Sequence, residues 1–215
     1  MSLICKRFAT GLCLVLLLAS SASALVLWDQ GTIVPAGPGI ANSNSPGFNG
    51  FVIHSVHDVT VPASGWHVTS ITQFYGGFNS SWVNLTQGFI NVQPKTGALP
   101  TSIPVAVQSP MSCTIDAARS MALGQTVYAV KAIVNFNLSA GDHWIGLTPT
   151  ASAGLNGANL QWPAAMVGNA VASFAAPAGP WVNNYAGWDG SFIVEGDITV
   201  PVEQKAWGSV KSLFQ

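Results

Sequence analysis

Apolar and polar residues alternate along most of this chain. The clearest run is TVYAVKAIVNFNL, residues 126–138. Tyr128, Val130, Ala132, Val134, Phe136 and Leu138 fall on one face of it, and Lys131, Asn135 and Asn137 on the other. A period of two marks a strand with one buried and one wetted face. Ser139-Ala140-Gly141 turns the chain, and DHWIGLT (142–148) follows as the next strand, with Ile145 and Leu147 on one side. The same pattern predicts strands over 51–61, 66–75, 82–93, 104–109 and 191–200, with shorter ones at 25–28, 159–162 and 171–175. Segments rich in Gly, Pro and Asn separate them, at 35–50, 94–103, 149–158 and 176–190. Many short strands with such punctuation predict an all-β fold, a single antiparallel β-sandwich, jelly-roll-like, over residues 25–200.

Both ends break the alternation. Lys6 and Arg7 precede the apolar run LCLVLLLA (12–19), and Ala22-Ser23-Ala24 has the small-x-small spacing of a signal peptidase site. This predicts a signal peptide over 1–24, a helix removed by cleavage before Leu25, and a protein that is secreted or held at the cell surface. The apolar run is shorter than the ~20 residues that cross a bilayer. Nothing after residue 25 is long and apolar enough for a membrane helix, so no transmembrane anchor is expected in the mature chain. At the other end, PVEQKAWGSVKSLFQ (201–215) takes up helical spacing. Trp207, Val210 and Phe214 fall at i, i+3 and i+7 with Leu213 beside them, and Lys205, Ser209, Lys211 and Ser212 fill the other face. Pro201 and Glu203 suit the start of a short amphipathic helix, which Gly208 weakens. The tail is either a sorting or attachment signal or a helix packed back on the domain.

Charge and cysteine content narrow the picture. Losing Lys6 and Arg7 leaves five basic residues against eight acidic ones, a net charge of −3. With no basic stripe, nucleic acid is excluded as an expected partner. Cys5 and Cys13 lie in the signal, so Cys113 alone remains and no internal disulfide can form. The exported fold must hold together by core packing, and Cys113 is expected as a buried small hydrophobe.

Three of the four histidines lie in HSVHDVTVPASGWHV, residues 54–68. On a strand, His54 and His57 point to opposite faces, so H-x-x-H is a poor metal pair there, whereas the HExxH spacing works on a helix. His54 and Asp58 share a face but stand ~13 Å apart along an extended chain. VPASGW (61–66) is a hairpin-type turn, and cross-strand pairing would bring His67 toward His57. One reading is a metal site built on His57, Asp58 and His67. The other is polar decoration of a sheet face.

The stretch VHDVTVPASGWHVTSITQFYGG (56–77) also carries a family resemblance. It resembles V-A-D-D-F-T-V-P-A-G-x-W-x-I-x-S-I-x-x-Y, a strand and hairpin found in many exported bacterial proteins, with His57-Asp58 where the family often has Asp-Asp. LWDQG (27–31), NSPGFNGF (44–51), FINVQPKTGALPTS (89–102), LSAGDHWIGL (138–147) and GWDGSFIVEGDI (187–198) are similar to the family's other segments. The group is the exported β-sandwich proteins that carry a PEP-CTERM or another choice of C-terminal anchor. The resemblance spans nearly the whole mature chain and implies a secreted or surface sandwich, with no catalytic residues to carry over. The C-terminus departs from it, because no Pro-Glu-Pro, apolar helix and basic end are present. The ending is similar instead to a short W-G-x-I-K tail of diverse exported proteins.

Catalytic patterns are sparse. There is no G-x-S-x-G elbow, no phosphate loop ending in Lys-Ser/Thr, and no dinucleotide fingerprint. Glu195 and Asp197 sit at i and i+2 with Asp189 just before them, a spacing that admits carboxylate hydrolysis or a calcium ion. No other cofactor is expected. GPWVNNYAGWDG (179–190) gathers Trp181, Tyr185 and Trp188 with Asn183, Asn184 and Asp189. Flat rings with amides and a carboxylate are the chemistry of sugar binding, and also of rings capping a core under a loop. The expected function is therefore structural or adhesive, at the cell envelope or in the extracellular matrix. A glycan-binding module acting on polysaccharide is the alternative, and a metal-assisted or carboxylate hydrolase the weaker one.

Overall fold

The long alternating runs form the long strands. The computed structural model describes residues 24–32, 40–41, 43–44, 52–76, 85–101, 107–150, 159–160, 172–176, 179–183 and 189–199. Residues 1–23 of the expected signal peptide and the tail 201–215 lie outside them. In chain order the elements are β1 (Leu25–Asp29), β2 (Ile40–Ala41), β3 (Ser43–Asn44), β4 (Val52–Val61), β5 (Trp66–Gly76), β6 (Gln87–Pro94) and β7 (Val107–Ile115). Then come α1 (Ala117–Leu123), β8 (Val127–Leu138), β9 (Gly141–Pro149), β10 (Asn159–Leu160), β11 (Ala172–Ala176), β12 (Trp181–Val182) and β13 (Phe192–Ile198). The fold is all-β and antiparallel at every described pairing.

The pairings join the strands into one curled sheet. Its path runs β1-β13-β5-β8-β7-β6-β9-β4-β11-β12, with β2, β3 and β10 attached at the side. The strand that makes the curl is β7. Its first half, Val107–Pro110, pairs with β6, and its second half, Met111–Ile115, pairs with β8. Pro110 stands where the partner changes, a point at which a residue without an N–H is tolerated within a strand. The sequence pattern ended this strand at 109, and the structure carries it through the proline to 115.

The expected hairpin-type turn at 61–66 and the turn at 139–141 are crossings between strands that do not pair with each other. Pro62–Gly65 is a tight turn, closed by Gly65 N–H on the Pro62 carbonyl at 2.9 Å, with Gly65 at φ 72°. Yet β4 pairs with β9 and β11, while β5 pairs with β13 and β8. The turn therefore carries the chain across the core and is not a hairpin. Ser139–Ala140 does the same between β8 and β9. Between the facing parts of the sheet lies the main core. It combines Val59, Ile145, Leu147 and Ile90 from one side with Val68, Ile71, Tyr75, Val130 and Phe192 from the other. Cys113 lies in it, and burial pushes its thiol up to about 11. Tyr75 Oη donates to the Leu147 carbonyl at 3.0 Å and Leu147 N–H donates to Gln73 Oε1 at 3.1 Å, which ties β5 to β9 across that core.

A helix absent from the pattern reading follows β7. Asp116 caps α1 by accepting the Arg119 N–H at 2.9 Å, and Gly124 ends it in the left-handed region. Arg119 then covers Phe74, its guanidinium 3.9 Å from the ring centre, and donates to the Gly31 carbonyl at 3.0 Å.

Candidate functional site

The polar stretch that begins at His54 is divided by its own strand. Along β4, His57 faces the core, while His54 and Asp58 face the other way with Val56. The ring of His57 is wholly buried and stacks on Phe192, centres 4.9 Å apart. Its Nδ1 lies 2.8 Å from Asp189 Oδ1, and both side chains have no solvent exposure. Asp189 Oδ1 also accepts the Gly190 N–H at 2.8 Å, and Oδ2 accepts Gln30 Nε2 at 2.5 Å. Both oxygens are thus acceptors, which puts the proton of the His57 bond on Nδ1. Gly190 N–H also approaches Nδ1, at 3.2 Å, but the carboxylate is its acceptor. Gln30 continues the network by accepting Trp28 Nε1 at 3.2 Å.

A histidine held by a buried carboxylate is the geometry of a general base. Here Nε2 has no hydrogen-bond partner, and neither does Gln73 Nε2. Among the described residues no hydroxyl or thiol stands within hydrogen-bond reach of Nε2, and no solvent reaches the ring. What the dyad does is join β4 to the segment entering β13 and, through Gln30, to the residue after β1.

On the opposite face of β4 a second apolar cluster combines Val56, Trp144, Ala172, Phe174 and Trp181, with Leu99 against it. Polar groups are sealed into the same face. His54 Nδ1 accepts from Asn91 Nδ2 at 3.2 Å and meets Thr148 Oγ1 at 3.1 Å. Burial lowers its pKa to about 4. Asp58 pairs with Lys95, whose ammonium lies 5.4 Å from the centre of the Trp144 ring. The one predicted glycan-site ring that is described, Trp181, is buried here and packs on Phe174 with centres 5.4 Å apart. Asn183 is exposed, and Asp189 is the buried partner of His57. Asn184, Tyr185 and Trp188 lie outside the described residues.

The candidate metal sets are not brought together. His57 and Asp58 are on opposite faces of β4, and His67 is on β5, which does not pair with β4. His67 instead reaches Asn135 Oδ1 at 2.8 Å and Asp197 at 3.6 Å, on the outer surface. Glu195 accepts Lys131 Nζ and Ser70 Oγ, each at 2.5 Å, and the Lys131 bond, then the Ser70 bond, hold its carboxyl below the usual range. The register shift opposite Glu195 and Gly196 falls on β5, at Thr69, so Glu195 and Asp197 keep their i, i+2 spacing on β13 but hold different partners, Lys131 and Ser70 for the first and His67 for the second. Asp189 lies inside the core, away from both. Among the described residues no group of three His, Cys, Asp or Glu side chains is placed to hold a metal ion. No described helix is long and apolar enough to cross a membrane. Comparison of the chain with protein-family models, with curated proteins and with solved structures gives no match.

Proposed function

We propose that this protein works outside the cell or at its surface as a structural or adhesive β-protein, acting through its surfaces and not by catalysis. The observation that carries this reading is the use made of its chemically capable side chains. His57–Asp189, Asp58–Lys95, Glu195–Lys131 and Asp116–Arg119 each bind a partner on the same chain and hold the fold together. Export rests on the basic start, apolar run and Ala22-Ser23-Ala24 site of the first residues. The partners that fit are the cell envelope, the extracellular matrix or its polysaccharides.

The test is a pull-down on isolated cell envelopes and on insoluble polysaccharides, with a Tyr185→Ala/Trp188→Ala variant alongside and a set of model glycosides as substrates. The expected result is retention on envelopes that the variant keeps, with no turnover. Retention on polysaccharide that a folded variant loses would make the protein a glycan-binding module. Turnover of a glycoside would overturn the non-catalytic reading.

A further inference from the structure

The curl at β7 leaves a wedge in the sheet. β8 has β7 as its neighbour only over Tyr128–Ala132, and β6 has β7 only over Gln87–Ile90. Beyond those points the two strands separate, and a cleft of about 620 Å³ opens between them. One wall is Ile90, Val92 and Val107, the other runs from Ile133 to Leu138 with Asn135 and Asn137 in it, and among the described residues no charged side chain lines it. Ser109 Oγ reaches the Ile133 carbonyl at 3.2 Å at its apex. Val107 and Ile133 are 61% and 63% exposed, unusual for large apolar residues on a sheet with a filled core.

The described fold ends beside this cleft. Ile198, Trp66 and Leu138 stand in one row across β13, β5 and β8. Thr199 N–H then donates to the Gly65 carbonyl at 3.2 Å. Ile198 therefore stands two strand spacings, ~10 Å, from Leu138 at the end of the cleft. Three or four extended residues at ~3.3 Å each cover that distance. The twelve residues from Glu203 to Phe214 span ~18 Å as a helix. The open flank of β8 from Ile133 to Leu138 runs ~17 Å.

We propose that the C-terminal segment, residues 203–215, docks in this wedge. Trp207, Val210, Leu213 and Phe214 meet the apolar walls, and Lys205 and Lys211 stay on the wet side. This is an amphipathic segment in an apolar groove, supplied by the same chain. The idea is independent of any adhesive role. It makes the tail a component of the folded domain whose release exposes both tail and cleft.

Lys205 and Lys211 make the test direct, because trypsin cuts after each. Cleavage at these two sites is followed by mass spectrometry in the full chain and in Val107→Glu, Ile133→Glu and Trp207→Ala variants, with Met121→Glu as control. Met121 is 82% exposed on α1, and Val107 and Ile133 are exposed enough for substitution to leave the core intact. The expected result is slow cleavage in the wild type and the control, at least tenfold faster in the other three, with the rest of the tryptic pattern unchanged. The proposal is overturned if the wild-type sites are cut as fast as in a free peptide of the same sequence. It is also overturned if the cleft substitutions leave cleavage unchanged, whether they alter the oligomeric state, as for a second copy in the cleft, or the binding of an apolar dye, as for an empty one.

Discussion

Replacing Asp189 by alanine should be among the most damaging single changes in this fold. The carboxylate is fully buried and accepts from His57 Nδ1, Gln30 Nε2 and the Gly190 N–H. Alanine leaves all three donors without that acceptor in a site no water reaches from outside. An orphaned buried donor costs about 1–3 kcal/mol. Partial relaxation of Gln30 brings the expected loss to about 3–5 kcal/mol, the range seen when one member of a buried pair is removed. His57→Leu should cost less, because Asp189 keeps Gln30 and Gly190. The double variant, with ring and carboxylate both gone, should fall short of the sum of the singles by about 1–3 kcal/mol. Urea unfolding followed by tryptophan fluorescence reads this, with the midpoints converted at constant m. A cost below about 1 kcal/mol for Asp189→Ala, or strict additivity in the cycle, would refute the claim that this network joins β1, β4 and β13.

Two further outcomes follow from the geometry. His54 is held at about 4 in the fold against an ordinary 6.5. The unfolded chain therefore takes a proton that the folded one refuses, so stability is full above pH 6.5 and falls as pH drops toward 4, by on the order of 3 kcal/mol at most. His54→Asn should flatten that window and leave the acid loss below it, where Glu195 and Asp116 act; an unchanged slope between pH 6.5 and 4 would assign the loss elsewhere. A Cβ on Gly146 would sit 2.0 Å from the Ser55 carbonyl oxygen, while one on Gly97 meets nothing within 4 Å. Gly146→Ala should lower stability by about 1–3 kcal/mol or more and visibly depress Tm, and Gly97→Ala should leave both near wild type.

Strands were legible wherever one face is wet. In β8 the predicted inward set, Tyr128 to Leu138 at every second residue, is the set that faces the core, because Lys131, Asn135 and Asn137 mark the other side. Partner choice was not legible. V-P-A-S-G-W has the composition of a hairpin turn, and nothing local distinguishes a turn that pairs its strands from one that carries the chain over the core. Pro110 reads as a strand end because proline lacks a ladder donor, yet its position at the change of partner makes that donor unnecessary. The helix α1 is too short for a periodic signal, and only Asp116 and Gly124 announce it. The histidine question turned on the same limit. Alternation showed that His57 and Asp58 diverge, but not that His57 would find a carboxylate 132 residues away. Asp189 was visible only as a member of a loop cluster, and its burial depends on Gln30 and Phe192, which arrive from opposite ends of the chain.

The place of β13 has a consequence for how the molecule is made. This last strand lies between β1, the first, and β5, with Leu25 opposite Gly196 and Trp66 opposite Ile198. Until residues 192–198 emerge from the ribosome, β1 lacks its neighbour among the described strands and β5 keeps the flank from Trp66 to Gln73 open. Asp189 and Phe192, which complete the surroundings of His57, arrive in the same few residues. Contacts so distant along the chain form slowly, and their loop-closure entropy is met only when residues 189–198 arrive. The final strand works as a keystone. A nascent chain of this design stays unfinished until residues 189–198 have been made.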